Sequence, residues 1–351
     1  MKRTTVWIVL ALVIAMLTGC AGTPVVYYGG CTCPTGGHDV APEGTEGAPV
    51  EGAVKTGLAI ITSLADSKNA ELANYDVTLV AVLVDDKGMI ADCVIDSIGV
   101  KVNFDATGKI TSELADSIKT KNELGDSYGM VAYGGAKYEW YKQADALAKF
   151  AVGKTAEELR KGAIDETGKA PAGSDLASTA TIYLGGYVSA IEEAVANAKH
   201  LGAQAGDTLK LATLSSTTSS VSATAEKAGT AQLDTTATAL TEKDGKITSC
   251  YIDAVQAKVS FDTTGAISTD ITAAVQTKNQ LGEKYGMVAW GGAKAEWNEQ
   301  AAAFAQYVTG KTAAEVAGIA VTEGKPADTD LAASVTIKIG DFQKLIAKAM
   351  G

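Results

Sequence analysis

One twenty-residue passage of this chain is written twice. Ile118–Lys137 reads IKTKNELGDSYGMVAYGGAK, and Val275–Lys294 reads VQTKNQLGEKYGMVAWGGAK, 157 positions further on. The same offset pairs Cys93 with Cys250, Asp96 with Asp253, Phe104 with Phe261 and Trp140 with Trp297; near the ends it becomes 155, pairing Pro171 with Pro326 and Asp175 with Asp330. A unit of this length is domain-sized and too long for a solenoid repeat. The chain therefore divides into two homologous units, 54–205 and 206–351, with Leu201–Gly206 as a short linker. At 46% hydrophobic and 20% charged residues, each copy has the material for a packed core.

Within a unit the hydrophobic period changes along the chain. Val77–Val84 is a short apolar run rich in β-branched residues, closed by Asp85-Asp86-Lys87-Gly88, which predicts a strand and a hairpin turn. Met89–Ile98 returns, and Val100, Val102 and Phe104 alternate with Lys101 and Asn103, as in a half-exposed strand. Trp140, Ala144, Leu147, Ala148 and Ala151 then fall on one helical stripe, repeated by Trp297, Ala301, Phe304, Ala305 and Val308. Thr155 with Glu158, and Thr312 with Glu315, read as capping boxes. Ser178–Leu184 is expected to be a strand leading into a helix over Tyr187–Leu201. Strands first and helices later predict an α+β fold: two tandem units, each a mainly antiparallel sheet with packed helices.

The N-terminus predicts export. Lys2 and Arg3 precede the apolar run Val6–Leu17, which suits a signal-peptide core and is short for a bilayer span. Leu17-Thr18-Gly19-Cys20 resembles the lipobox of bacterial lipoproteins. That resemblance implies cleavage after residue 19, lipidation of Cys20, and a body anchored to the membrane on its extracytoplasmic side. Residues 20–53, rich in Gly, Pro, Thr and Glu, read as a flexible tether. They contain Cys31-Thr32-Cys33, a vicinal redox pair, half a metal site or neither. Loss of Lys2 and Arg3 would deepen the net charge of −11 by two. An acidic chain lacks the clustered cations that nucleic acid requires. With only His38 and His200, a His-rich metal or haem site and a twice-repeated Ser-His-Asp triad are excluded.

The segments that end each unit carry the chemical signal. They read Asp175-Leu-Ala-Ser-Thr-Ala-Thr181 and Asp330-Leu-Ala-Ala-Ser-Val-Thr336, each followed by a helical stretch. They resemble the terminal signature D-x-x-[ST]-G-A-[ST] of the FMN-binding domain family, found in Na+-pumping NADH:quinone oxidoreductase subunits and exported electron-transfer flavoproteins. Asp244-Gly245-Lys246-Ile247 resembles the family's early hairpin. The resemblance implies FMN as cofactor, esterified through its phosphate to Thr181 and Thr336. Asp175, Asp330 and Ser178 would be companion residues of the site, and redox proteins or quinone the partners. Thr179 and Ser334 stand where the family has Gly, and Val335 where it has Ala.

The duplicated passage offers further candidates. Its glycines let backbone N–H groups approach a ligand, and a helix N-terminus follows. Tyr133 and its counterpart Trp290 can stack on a ring system or plug a core, as can Tyr128 and Tyr285; Lys137 and Lys294 face a phosphate or solvent. Cys93 and Cys250 read as buried small hydrophobes, with an inter-unit disulfide as the other reading. No repeated pair of acids has hydrolase spacing. Two functions follow: an anchored flavin carrier for electron transfer, or a ligand- or protein-binding surface lipoprotein of the same fold without flavin.

Overall fold

Strand β2 (Leu72–Val84) explains the architecture, because both of its faces are buried. Tyr75, Val77, Leu79, Ala81 and Leu83 point into one core, and Val80, Val82 and Val84 into another. A strand covered on both sides reads as a continuous apolar run, which is why Val77–Val84 shows no clean alternation. β2 pairs antiparallel with β1 (Lys55–Ser63) and β3 (Ile90–Asn103). The second copy repeats the meander as β4 (Thr208–Ser216), β5 (Gly229–Lys243) and β6 (Lys246–Phe261). The β5–β6 hairpin turns on Asp244 (φ 53°) and Gly245 (φ 76°), the pair of left-handed residues that matches the twist of a two-residue hairpin.

The computed structural model describes residues 52–351. These form one α+β body of four layers. The two sheets lie face to face over a shared core that takes Leu79 and Phe104 from one copy and Val259 and Phe261 from the other. Helices cover the outer faces. In the first copy these are α1 (Lys121–Leu124), α2 (Trp140–Ala151), α3 (Ala156–Ala163), α4 (Asp175–Thr179) and α5 (Gly185–Ala196). In the second they are α6 (Lys278–Leu281), α7 (Trp297–Val308), α8 (Ala313–Ala317), α9 (Thr329–Ser334) and α10 (Gly340–Met350). The Trp140 and Trp297 stripes are buried as the period predicted. The Thr155 and Thr312 capping boxes form, and so do boxes at Thr120 and Thr277.

The two copies meet around a pseudo-twofold axis. Phe104 and Phe261, equivalent residues, stack with centroids 4.0 Å apart and planes within 2°. Other contacts come in reciprocal pairs. Ala70 N–H donates to the Gly265 carbonyl and Ala223 N–H to the Gly108 carbonyl, both at 2.8 Å. Ile110 N–H reaches Ser222 Oγ (3.0 Å), while Ile267 N–H reaches Asn69 Oδ1 (2.8 Å). Glu123 pairs with Lys348 Nζ at 2.6 Å; at the equivalent place Gln280 Nε2 donates to Glu193 Oε1 at 2.8 Å. This is the reciprocity of an isologous dimer, here within one chain.

One expected element differs. Ser178–Leu184 is not a strand: helix α4 ends at Thr179, and the residues after it run outside any sheet into α5, which ends at Ala196 rather than Leu201. Ser174 Oγ accepts the Ala177 N–H, and Asp328 Oδ1 accepts those of Asp330 and Leu331. These N-caps start helices where the β-branched residues alone suggested a strand.

Candidate functional site

Each candidate threonine is held by a glutamine from the main helix. Gln143, buried on the first turn of α2, places Oε1 where it accepts Thr181 N–H (2.8 Å), Ile182 N–H (3.1 Å) and Thr181 Oγ1–H (3.2 Å). Its Nε2 donates to the Tyr138 carbonyl at 2.8 Å. Gln300 on α7 repeats the clamp: Thr336 N–H at 2.8 Å, Ile337 N–H at 3.2 Å, Thr336 Oγ1–H at 3.1 Å, and the Ala295 carbonyl at 2.8 Å. One buried amide thus ties the end of the Gly-rich loop to the Thr-bearing segment in both copies. Neither glutamine belongs to the apolar stripe of its helix, and nothing local in the sequence marks Gln143 or Gln300.

The loop has a second anchor. Glu139, buried just before α2, accepts the N–H groups of Met130 (2.9 Å) and Val131 (3.0 Å), and Glu296 does the same for Met287 (2.9 Å) and Val288 (3.0 Å). A carboxylate with two backbone donors fixes the loop. Gly129 (φ 81°) and Gly286 (φ 82°) are left-handed, and a Cβ on either would run into the ring of Tyr133 or Trp290. Those rings lie against the glycine backbone and face water, Tyr133 at 92% and Trp290 at 82% exposure. They do not plug the core.

Tyr128 and Tyr285 have a different role. Lys121 Nζ stands 5.3 Å from the Tyr128 ring and 5.2 Å from Trp140; Lys278 Nζ stands 4.7 Å from Tyr285 and 4.8 Å from Trp297. Each lysine joins the duplicated passage to its helix by cation–π contacts. Asn122 and Asn279 bind the sheet edges, donating Nδ2–H to the carbonyls of Ile95 and Ile252. Their N–H groups reach Asp96 and Asp253. Burial raises both carboxyls, that of Asp253 to about 6, against the opposing bonds from Thr277, Asn279 and Ala254.

Around the threonines the surface is open. Thr181 is exposed and Thr336 half-buried. Asp175 and Asp330 sit exposed in the first turns of α4 and α9, in no ion pair among the described residues. Ser178 Oγ donates to the Asp175 carbonyl at 2.6 Å, and Lys137 Nζ donates to the Ser178 carbonyl at 3.3 Å. Thr179 and Ser334 adopt negative φ, so a side chain at the family's glycine position carries no backbone strain. Three cavities lie elsewhere, by Tyr251 and Asn298, by Lys311 and Asp328, and by Asp96 and Lys348.

Cys93 and Cys250 are buried free thiols on the outer faces of separate sheets, and burial pushes Cys250 up to about 12. Among the described residues no group of three or more His, Cys, Asp or Glu could hold a metal ion, and no helix is long and apolar enough to cross a membrane. Cys20, Cys31 and Cys33 lie outside the described residues. No family model matches the chain, and neither a curated protein nor a solved structure matches it.

Proposed function

We propose that the chain is a lipid-anchored, extracytoplasmic flavin carrier that holds FMN at the loop end of α2 and of α7. One observation carries the reading. In both copies one buried glutamine holds a threonine, exposed at 181 and half-buried at 336, together with the end of a loop that bears a bare aromatic ring. The donor set tolerates a phosphoester. Esterifying Thr181 removes its hydroxyl proton from Gln143 Oε1, but the two backbone N–H donors remain, so the clamp survives. Lys137 Nζ, held on the Ser178 carbonyl, would supply a cation to the same segment.

When bound, the flavin would supply the electron-accepting ring. The chain would orient it. Tyr133 and Trp290 offer one face each for stacking, and Cys20 keeps the body at the membrane, within reach of quinone or a redox protein. The test is the visible spectrum and intact mass of the full chain from a host that has a flavin transferase. Yellow protein heavier by one FMN per copy, and colourless bare-mass protein after Thr181→Ala with Thr336→Ala, is the expected result. Bare mass in the parent chain refutes it.

A second reading is favoured by the bonds that both hydroxyls already make to the Oε1 atoms of Gln143 and Gln300. In it the hydroxyls serve only the glutamine clamp, and the exposed loops bind a ligand or protein without flavin. Bare mass together with no uptake of added FMN selects it.

A further inference from the structure

A cavity of about 890 Å3 lies between the outer edge of β6, α7 and the connection that leads into the second copy. Its walls are the connection Lys199–Leu201, the outer edge of β6 at Cys250–Ile252, and a stripe of α7 that includes Asn298, Ala302 and Gln306. Where the second copy has Asn298, Ala302 and Gln306, the first has Tyr141, Asp145 and Lys149, with Lys149 paired to Asp145 at 2.6 Å. The second copy thus presents two amides and a methyl group on the stripe where the first presents a phenol and an exposed ion pair.

The strand edge differs too. Antiparallel pairing directs every second residue outward. Along β6 that side is marked by the Ile252 carbonyl, taken by Asn279 Nδ2, and by the Ala254 N–H, taken by Asp253 Oδ1. Cys250 shares their direction, so its N–H and C=O face the cavity that it lines. In the first copy the equivalent Cys93 N–H is capped by Asp92 Oδ1 at 2.8 Å. The second copy has Ser249 there, and its hydroxyl is turned to Thr56 and Thr241, both at 2.7 Å. Among the described residues no side chain takes the Cys250 N–H. At the mouth Lys199 Nζ stands 5.4 Å from the Tyr251 ring, in no ion pair among the described residues.

We infer that this cavity binds a short extended peptide with small apolar side chains and a free carboxylate. One peptide residue exchanges both main-chain hydrogen bonds with Cys250, as in strand addition. Its side chains lie on Ala302, Ala305 and Ile252, and its carboxylate meets Lys199. A strand rises about 3.3 Å per residue, so three residues cover the open edge. The site uses another stripe of α7 than Gln300 and stands independently of flavin.

The test is calorimetric titration of the full chain in detergent with the tripeptide Ala-Val-Ala, with amide shifts at Cys250 and Ile252 followed by NMR. Saturable binding is expected. Ser249→Asp, which restores the first copy's edge cap, and Ala302→Tyr, an exposed position that tolerates bulk, should each weaken it by about tenfold or more. Amidation of the peptide's carboxyl end should weaken it several-fold. Absence of binding, equal binding by Ala302→Tyr, equal affinity for the amidated peptide, or equal affinity for free alanine would each overturn the inference.

Discussion

The stacked pair Phe104 and Phe261 makes the shared core testable. Both rings are buried, and each covers a face of its equivalent across the pseudo-twofold axis. Truncating Phe104 to Ala removes a fully buried ring and leaves a cavity, a loss of about 3–5 kcal/mol. About 0.5–1.5 kcal/mol of that belongs to the stack itself and should appear as coupling in a double-mutant cycle with Phe261→Ala. With a urea m-value of about 3 kcal/mol per M, the midpoint should fall by about 1–1.7 M. Trp140 and Trp297 lie in the two separate outer cores, so single-tryptophan variants report each copy by fluorescence. Because the inner faces of both sheets share one core, Phe104→Ala should move both transitions equally. If only the Trp140 transition moves, the copies unfold as independent domains and the shared-core argument fails.

Other outcomes follow from single contacts. Gln143→Leu leaves Thr181 N–H, Ile182 N–H and the Tyr138 carbonyl without their partner, and should cost about 2–4 kcal/mol in chemical denaturation, with faster amide exchange at 181 and 182. Asp253, raised to about 6 by burial, is held in its neutral form by folding, so its contribution is fully present below the unfolded value near 4 and lost as pH rises through about 6. Stability should fall by about 3 kcal/mol over that window from this group, and Asp253→Asn should flatten the slope. Gly286→Ala forces a side chain into a left-handed position occupied by the Trp290 ring. It should cost about 1–2 kcal/mol and shift the Trp290 emission, while Gly245→Ala, with open space around it, should leave that emission unchanged.

How much of this was written in the sequence depends on range. The hairpin of β2 and β3, its turn and the tryptophan stripes follow from local period and turn chemistry, and the structure contains them; β1 and β4, which complete each meander, were not read from the sequence. The four-layer stacking does not, since a continuous run such as Val77–Val84 announces burial on both faces without saying what covers each. The segment after Asp175 was misread because Thr179, Thr181 and Ile182 favour strands locally. Ser174 starts a helix there, and Gln143, on a different element, fixes the rest. Of the candidate residues, Thr181 and the Tyr133 loop do come to the same end of α2, as Thr336 and the Trp290 loop come to the same end of α7. The glutamines that join them were hidden as ordinary polar residues on an amphipathic helix. The Lys121 and Lys278 contacts likewise need two distant aromatic rings and cannot be seen one segment at a time.

The borders of the two sheets carry a last consequence. β1 is met by Lys199 and Asn197, β3 by Asn122 and Lys154, β4 by Ile118 and Lys348, and β6 by Lys311 and Asn279. Each outer strand therefore spends part of its edge on its own chain, and among the described residues these contacts interrupt the border that could recruit a neighbour's strand. Molecules crowded side by side on a surface would then resist runaway cross-linking into fibrils, and any intermolecular pairing would start at the short uncapped stretch around Cys250.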